Sequence, residues 1–511
     1  MKAIKNIVLI QPETPEEYLS YNSFARFTKK PALLPPLGLV TLAALTPSYY
    51  RVIIIDERIE KIDFNIPCDL VGITGYRFYK NRMIEIAYEF KKRQVLTVGG
   101  GTYCTDYFDD ALKHFDVVIS GEAERTWPRF LSQWEKGVHK KSYREKKPID
   151  IKKSPIPRWD LIKTEKYTIG SIQTSRGCPN DCDFCNVVKF YGQELRTKSR
   201  SQTFRELKRV ASYGFPSVFF ADDNFTGNRQ HAKNILMDII RFNRLRKKPL
   251  IFIAQTTLDL AEDDELLDLL KEANFFQLFI GIETPRKNSL IACNKLHNLN
   301  MEMIDAIKNI QSRGMFIVAG MIVGFDTDDA TIFEEQRQFL KKSGITLPMI
   351  NLLVAPKHTR LWHRLKREGR LLPHVAEDSF LTANYVPLLM SKEELEEGHL
   401  KLLRSVYSIE HFKESFQSFI RQIDVNRMSS SPNAAEWKHL GSMNKNILFT
   451  GMRIILFFLF QAGKEKRRLF IFVLQQTFAK GVICIPVAFS ILSYFESLNR
   501  FISCKVVPEK Q

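Results

Sequence analysis

The sequence predicts an α/β protein in three parts: a doubly wound parallel sheet, a partial (β/α)6 barrel and a helical C-terminal region. Over residues 1–145, short β-branched runs alternate with helical patterns, and the same alternation resumes over residues 169–375. Strands that alternate with helices are typical of parallel sheets whose faces are covered by helices. From residue 376 to residue 511 the strand-like runs stop, and helical and apolar segments follow.

The first part carries five predicted strands. They are expected at residues 7–10, 52–55, 70–74, 95–98 and 117–119, with the clearest helices at 37–45 and 83–92. Ligands of such sheets bind at the carboxyl ends of the strands. The residues that follow the strands are therefore candidates for ligand contact: Asp56, Thr74, Gly99, Gly100, Gly101, Thr102, Gly121 and Glu122. The three consecutive glycines let a ligand approach the backbone closely, although a plain tight turn explains them equally well.

The second part is expected to begin after a linker at residues 146–168, where Pro155 and Pro157 interrupt any regular pattern. Six strands are predicted beyond it, at residues 169–174, 217–221, 250–254, 277–282, 316–323 and 349–354. Helical patterns separate these strands. Six strand–helix units suit an open barrel, and the active site of such a barrel lies at the carboxyl ends of its strands.

Three of the eight cysteines lie close together, directly after the first barrel strand. Cys178, Cys182 and Cys185 have the C-x3-C-x2-C spacing, and turn-forming residues stand between them. Three thiolates on one loop can bind three irons of a cubane iron–sulfur cluster and leave the fourth iron open. A structural zinc site would need a fourth ligand, and no further Cys or His follows at zinc-finger spacing.

This stretch resembles the radical S-adenosylmethionine (SAM) enzymes, whose signature is the same cysteine spacing. The resemblance implies a 4Fe–4S cluster whose open iron binds SAM, and a 5′-deoxyadenosyl radical that forms when SAM is reductively cleaved. Phe184, between the last two cysteines, would shield the cluster from water and is also a candidate to contact SAM. In the family a residue at the end of the fourth barrel strand contacts SAM, which makes Glu283 the leading candidate here.

Further polar residues stand at the ends of the predicted barrel strands. Their carboxylates and amides, and the glycine turn after the fifth strand, are candidates to contact SAM: Asp222, Asp223, Gln255, Glu283, Gly324 and Asp326. Asp223 and Asp326 can equally be caps at the start of the next helix, because aspartate is a favoured N-cap residue.

In one branch of the radical SAM enzymes, a Rossmann-like, cobalamin-binding domain precedes the barrel. The order of motifs in the first part resembles that domain. The resemblance rests on Pro36 and Gly38, the Asp56 turn, Gly99–Gly100 and Gly121–Glu122. It adds Pro36 and Gly38 to the candidate cobalamin contacts. The Asp-x-His-x-x-Gly motif is absent, so cobalamin is expected to bind without a histidine ligand. A dinucleotide-binding domain would carry Gly-x-Gly-x-x-Gly after its first strand, and this chain does not.

Blocks between residues 1 and 420 resemble the branch that contains hopanoid C-2 methylase. They lie at residues 219–224, 279–285, 293–295, 322–326 and 367–372. The resemblance implies a cobalamin-dependent radical SAM C-methyltransferase that acts on an unactivated carbon, with a polycyclic lipid such as a hopanoid as candidate substrate. A reductant such as flavodoxin or ferredoxin would be its electron donor. Two alternatives stay open: a radical cyclase or oxidative rearrangement without methyl transfer, and a non-catalytic cobalamin or iron–sulfur sensor.

The charge and composition of the chain limit the classes of partner and the compartment that are expected. The formal net charge of +18 favours an anionic partner, although a solvated lysine-rich surface explains it equally well. No helix-turn-helix, zinc-finger or aromatic–basic RNA motif is present, which disfavours nucleic acid. The first residues read as a strand rather than a signal peptide, and free thiolates suit a reducing compartment, so a cytoplasmic location is expected.

The C-terminal part has two apolar runs, at residues 454–460 and 481–495, on either side of a basic run at 464–468. Neither apolar run reaches the roughly 18–20 residues that span a bilayer. The runs either pack against the barrel or form an interfacial membrane anchor. In the second case the protein would sit peripherally on an anionic membrane at its inner face.

Overall fold

The structure, a computed structural model, describes residues 5–13, 25–372, 381–429 and 445–503. The chain divides into two units. The first consists of Met1–Asn22, Lys30–Ile172 and Arg196–Phe215, and the second of Ser23–Lys29, Gln173–Leu195 and Pro216–Gln511. The boundary predicted at residue 375 lies outside the described residues.

The first unit is built on a six-stranded parallel sheet with the strand order β2-β1-β3-β4-β5-β6. The strands are β1 (Asn6–Gln11), β2 (Arg51–Asp56), β3 (Leu70–Thr74), β4 (Leu96–Gly100), β5 (Val117–Ser120) and β6 (Ser142–Arg144). The five predicted strands form close to their expected bounds. Strand β6 was not predicted, because only its central residue, Tyr143, is buried and no apolar run marks it. The order reverses beside β1, where open α/β sheets bind ligands.

Helices cover both faces of this sheet, which explains why its central strands are continuously apolar. In β1, Ile7, Val8, Leu9 and Ile10 are completely buried. The helices of the first unit are Leu37–Leu45, Lys80–Lys91, Gly101–Asp106, Phe108–His114, Ala123–Glu135 and Arg200–Ser212. The predicted doubly wound fold class is confirmed.

The segment predicted as a linker packs within the first unit. It forms three short 3-10 turns, Ile151–Lys153, Trp159–Leu161 and Thr164–Lys166. Large side chains anchor it, since Trp159 and Tyr167 are fully buried. Three short strands follow in the chain. The first unit contains β7 (Gly170–Ile172) and β9 (Arg196–Thr197), and the second unit contains β8 (Ser175–Arg176).

The second unit carries five parallel strands that pair in chain order. They are β10 (Ser217–Phe220), β11 (Ile251–Thr256), β12 (Phe275–Glu283), β13 (Phe316–Val323) and β14 (Leu347–Leu352). With β7, all six strands predicted for the barrel are present within two residues of their expected bounds. Helices alternate with them: Asn186–Tyr191, Arg229–Arg244, Asp264–Glu272, Lys287–Ala292, Met303–Ser312 and Ile332–Ser343.

The C-terminal part is helical, as predicted. Its helices are Lys392–Val406, Ile409–Gln422, Val425–Ser429, Lys445–Leu456 with the π-helical continuation Phe457–Gln461, Lys464–Lys480, and Ile485–Phe501, and the helix Arg360–Arg367 precedes this part. The last helix packs inside the second unit, with ring centroids of Phe412 and Phe495 4.0 Å apart and those of Phe316 and Tyr494 6.4 Å apart. Among the described residues, only Val482–Phe501 is long and apolar enough to cross a membrane, and 67% of its most apolar stretch is buried in the protein, as in a core helix.

A buried ion pair in the first unit gives a test of its packing. The Nζ of Lys198 lies 2.7 Å from Oε1 of Glu206, and the two residues are 5% and 1% exposed. Glu206→Gln should lower the free energy of unfolding by about 3–5 kcal/mol, because it leaves the lysine charge buried without its partner. Urea denaturation measures the loss. The double variant Lys198→Met, Glu206→Leu should recover most of it, and an equal loss in that variant would contradict the burial of the pair.

Candidate active site

The three cysteines lie on one loop, residues 177–185, which we call the cysteine loop. It starts at Gly177, whose φ is +98° and where a Cβ would lie 2.7 Å from the carbonyl oxygen of Glu194. Glycine takes this backbone conformation without the steric cost that a side chain would add. At the other end, Sγ of Cys185 accepts a hydrogen bond from the N–H of Val187 at 3.4 Å and so caps the helix that follows.

Two aspartates that follow β10 hold the start of the cysteine loop. Asp222 is completely buried, and its carboxylate accepts hydrogen bonds from the N–H of Thr174 at 2.6 Å and from Oγ of Ser175 at 2.8 Å. The carboxylate of Asp223 accepts the N–H of Gly177 at 2.9 Å. Through these hydrogen bonds the two aspartates fix the backbone immediately before the cysteine loop and at its first residue.

Backbone and amide groups from elsewhere in the second unit hold the tip of the loop. The N–H of Asp183 donates to the carbonyl of Cys293 at 3.0 Å, and the N–H of Leu361 donates to the carbonyl of Asp183 at 3.1 Å. The side-chain amide of Asn294 donates to the carbonyl of Asp181 at 2.7 Å. The loop is therefore fixed at both its start and its tip by groups distant in sequence.

Cys178, Cys182 and Cys185 are free, partly exposed thiols. Burial raises the pKa of Cys182 to about 12, and it also raises the pKa of Cys178 and Cys185, while the positive charge of Lys295 opposes the rise at all three. No three His, Cys, Asp or Glu side chains in the described part of the chain converge to hold a single metal ion. Three free cysteines on one loop are nonetheless the donors that an iron–sulfur cluster uses, since each thiolate binds a different iron, and the donor set fits such a cluster.

A buried ion pair faces the thiols. Nζ of Lys295 lies 2.7 Å from Oε1 of Glu283, and the two residues are 5% and 7% exposed. Burial lowers the pKa of Lys295, but the negative charges of Glu283 and of the Cys182 thiolate outweigh that effect and raise it above its ordinary value. The ammonium therefore stays charged, and it favours the thiolate forms of Cys182 and Cys185.

The backbone around Glu283 is shaped to hold this pair. Glu283 ends β12 with a φ of +67°, a conformation that costs free energy in any residue other than glycine. A Cβ at Gly281 would lie 2.5 Å from Oε1 of Glu283 and 2.9 Å from Nζ of Lys295. Gly281 thus leaves the space that the ion pair fills.

A small cavity lies beside the cysteine loop. Its lining residues are Asp183, Phe184, Ala292, Cys293, Phe325, Asp326, Leu353, Leu361 and Arg364. The rings of Phe184 and Phe325 meet edge to face, with centroids 6.1 Å apart. The carboxylate of Asp326 pairs with Arg364 and, at 2.5 Å, with Arg370, and although burial raises the pKa of Asp326, these arginines hold it below its usual range.

The structure brings some of the predicted SAM-contact residues together and gives others a different partner. Glu283 lies near enough to Cys182 and Cys185 for its charge to raise their pKa values, and Phe184 and Asp326 line the cavity beside the cysteine loop. Asp222 and Asp223 support the cysteine loop. Gly324 turns at a φ of +108°, and the partly exposed Gln255 accepts the N–H of Phe225 on its carbonyl at 2.9 Å. Contact of these residues with SAM stays a prediction.

Sequence reasoning gave no role to Lys295 or Asn294. Both lie in the 293–295 block that carried part of the family resemblance, and that block was the available signal. The sequence does not show that this block lies beside the cysteines. It is held there by contacts between residues more than 100 positions apart, such as the hydrogen bond from Asn294 to Asp181.

In the first unit, the predicted cobalamin contacts follow the strands at the carboxyl edge of the sheet. Asp56 is buried and bound by Arg58 at 2.6 Å and by the hydroxyl of Tyr167 at 2.9 Å. Glu122 is likewise engaged, by Arg196 at 2.9 Å and by the N–H of Ile149 at 3.0 Å. These two carboxylates therefore hold the protein together at this edge.

The glycines of that edge fall into two kinds. At Gly101 and Gly121, φ is +84° and +82°, and a Cβ would lie 2.6 Å from Oγ1 of Thr74 and 2.4 Å from the carbonyl oxygen of Glu145, respectively. A Cβ at Gly99 would meet the ring of Phe115, and Thr102 donates to the carbonyl of Gly75 at 3.4 Å. By contrast, a Cβ at Gly38, which follows Pro36 in the first turn of a helix, or at Gly100 would meet no atom of the described residues within 4 Å. Open space at these two positions fits a bulky ligand near the backbone.

Comparisons with known proteins agree with this fold and site. Residues 172–340 match the Radical SAM superfamily, and residues 359–502 match a domain of unknown function, DUF4070. The chain is 34% identical to an uncharacterized methyltransferase of Synechocystis sp., over 71% of this chain and 69% of that protein. It is 32% identical to hopanoid C-2 methylase of Rhodopseudomonas palustris, over 72% of this chain and 71% of that protein.

A solved structure shares the fold over most of the chain. This is the radical SAM methyltransferase TsrM of Kitasatospora setae with cobalamin and a 4Fe–4S cluster bound, at a TM-score of 0.60 and 16% identity, covering 93% of this chain and 100% of that one.

The cysteine loop and the parallel α/β fold together define a radical SAM enzyme. The chain belongs to the radical SAM superfamily and, within it, to the methyltransferases related to hopanoid C-2 methylase. The predicted family and enzyme class, a radical SAM methyltransferase, are confirmed.

The space beside Gly281 gives a test of the site's packing in the metal-free protein. Gly281→Ala should lower the free energy of unfolding by about 1–3 kcal/mol, because its Cβ would displace the Lys295–Glu283 pair. Gly320 pairs with Gly281 across the sheet, and a Cβ there would lie 3.4 Å from the ring of Phe279. Gly320→Ala is therefore the matched control and should cost less. Equal losses in urea denaturation would show that the ion pair does not occupy this space.

Proposed function

We propose that this chain is a cobalamin-dependent radical SAM C-methyltransferase that methylates an unactivated carbon of a polycyclic lipid. One observation carries the cluster chemistry: three free thiols on a single loop, anchored at both ends and facing a buried lysine. The lipid substrate is supported by the 32% identity to hopanoid C-2 methylase.

Cys178, Cys182 and Cys185 would each bind one iron of a 4Fe–4S cluster, and the fourth iron would be left for SAM. When bound, the cofactors supply the hydrogen abstraction and the methyl group. The protein's part is to position them and to exclude water. Lys295 balances the negative charge of the thiolates, and Phe184 and Phe325 line the cavity beside the loop with apolar rings.

Cobalamin would bind at the carboxyl edge of the first sheet. Gly38 and Gly100 leave open space there, and Thr74 and Thr102 stand at the ends of neighbouring elements. The fold that this chain shares with cobalamin-bound TsrM supports the assignment. Asp56 and Glu122 already have protein partners, so they would support the edge rather than contact the corrin.

Two further partners belong to the proposal. The cluster needs a one-electron donor of the flavodoxin or ferredoxin class, and the reducing cytoplasm that suits such a cluster remains the predicted location. A substrate that resides in a membrane also requires the enzyme to reach a lipid surface, which would make it peripheral at the inner face of the membrane.

The cysteine assignment is tested by single substitutions. Cys178→Ala, Cys182→Ala and Cys185→Ala should each lose most of the cluster iron after anaerobic reconstitution, and formation of 5′-deoxyadenosine from SAM should fall at least about a hundredfold, since each removes one iron ligand. Iron content and chromatography of the nucleoside measure this. Cys293→Ala is the matched control, because Cys293 is a buried cysteine next to the cysteine loop that holds Asp183 only through its backbone carbonyl, and this variant should keep its iron. Retention of cluster and SAM cleavage by the three variants would refute the assignment.

Methyl transfer is tested with SAM that carries an isotopic label in its methyl group. The reconstituted enzyme, supplied with cobalamin, reductant and a polycyclic triterpenoid lipid, should give a product that is heavier by one labelled methyl group in mass spectrometry. A rearranged or cyclised product without the label would favour the radical cyclase instead. Absence of 5′-deoxyadenosine would favour the non-catalytic sensor.

A further inference from the structure

One face of a C-terminal helix is apolar and exposed. On the helix Lys445–Leu456 and its continuation Phe457–Gln461, four large apolar side chains are 51%, 48%, 45% and 74% exposed. They are Phe449, Met452, Leu456 and Phe460, and we call them the apolar stripe. Large apolar side chains grouped on one surface, rather than scattered singly, mark an interaction site.

The spacing of the stripe places its members on one side of the helix. At about 100° per residue, positions 449, 452 and 456 of the α-helix fall within about 60° of its circumference. Phe460 follows Leu456 by four residues, close to one turn of the π-helical continuation. The opposite side faces the protein: Ile454 and Phe458 are 3% and 0% exposed, and the ring of Phe458 stacks on that of Phe470 with centroids 5.4 Å apart. The inner face of the helix is therefore packed against the protein, and the apolar stripe on the outer face is exposed.

Basic residues follow the stripe directly. Lys464, Arg467 and Arg468 are exposed at the start of the next helix, and the chain as a whole carries a formal net charge of +18. An exposed Phe, Leu and Met face next to Lys and Arg is the composition of helices that lie in a membrane interface. Each basic residue adds attraction to anionic headgroups.

We propose that the apolar stripe and these three basic residues dock the enzyme on the surface of an anionic membrane. The helix lies on the membrane rather than across it, because its opposite face is buried in the protein. The longer apolar segment Val482–Phe501 does not serve as the anchor, since two thirds of its most apolar stretch is already buried in the protein. The choice of a membrane as the occupant rests on the proposed lipid substrate, and docking would bring the enzyme to that lipid.

The test is co-flotation of the full-length protein with vesicles, without SAM or reductant. The protein should float with vesicles made of phosphatidylglycerol and phosphatidylcholine in equal parts, and much less with phosphatidylcholine alone or at high salt. The stripe variant Phe449→Ser, Phe460→Ser should bind at least about tenfold more weakly, because two aromatic side chains no longer insert. The charge variant Lys464→Gln, Arg467→Gln, Arg468→Gln should lose the preference for anionic lipid.

The matched control is Leu245→Ser, Leu388→Ser, which removes two apolar side chains that are 89% and 59% exposed elsewhere in the second unit. It should bind like the unaltered chain. Failure of the unaltered chain to float, equal binding of the stripe variant, or equal loss in the control would overturn the proposal.

A methylation assay separates failure of docking from failure of the proposed function. With detergent-solubilised lipid substrate, the stripe variant should methylate as fast as the unaltered enzyme, whereas with substrate in anionic vesicles it should be about tenfold slower. Equal rates of the two proteins on vesicles would overturn the docking proposal. Vesicle binding without methylation in either format would refute the lipid substrate and leave docking in place.

Discussion

The cysteine loop is too short to hold three thiols in place with its own backbone, so its geometry depends on hydrogen bonds from other elements. Asp222 and Asp223 fix its start, and the backbone of Cys293 and the side chain of Asn294 fix its tip. The aspartates follow β10, and the 293–295 segment follows the helix after β12. The pairing of the parallel strands therefore decides where the thiols stand.

The same segment carries the charge that the site needs. Three thiolates in a half-buried place repel one another and are poorly solvated, which is why burial raises the pKa of each cysteine in the metal-free chain. Lys295 supplies a positive charge there, and Glu283 keeps that lysine charged at the cost of a strained backbone. Net charge beside a cluster is one of the factors that set its potential, so this ion pair connects the fold to the chemistry.

Local signals made much of this predictable. The strands of both sheets and the cysteine spacing can be read from short stretches of sequence, whereas the partners of Asp223 and Lys295 are 46 and 12 residues away. Asp223 was interpreted as a SAM contact or a helix cap. The cap reading is wrong, since Asn228 caps the next helix and Asp223 binds the N–H of Gly177, while its contact with SAM stays a prediction. The two C-terminal apolar runs looked alike in sequence, yet the second is packed inside the protein and the first exposes one face. Tertiary packing, which composition does not encode, separates them.

The central claim is that Cys178, Cys182 and Cys185 hold a cluster with one iron open to SAM. Electron paramagnetic resonance of the reduced, reconstituted enzyme with and without SAM tests it most directly. The account predicts the signal of a 4Fe–4S cluster whose g-values shift when SAM is added, with line broadening when the SAM carboxylate is labelled with oxygen-17. Spectra that are identical with and without SAM, or an enzyme that binds zinc in place of the cluster, would contradict it.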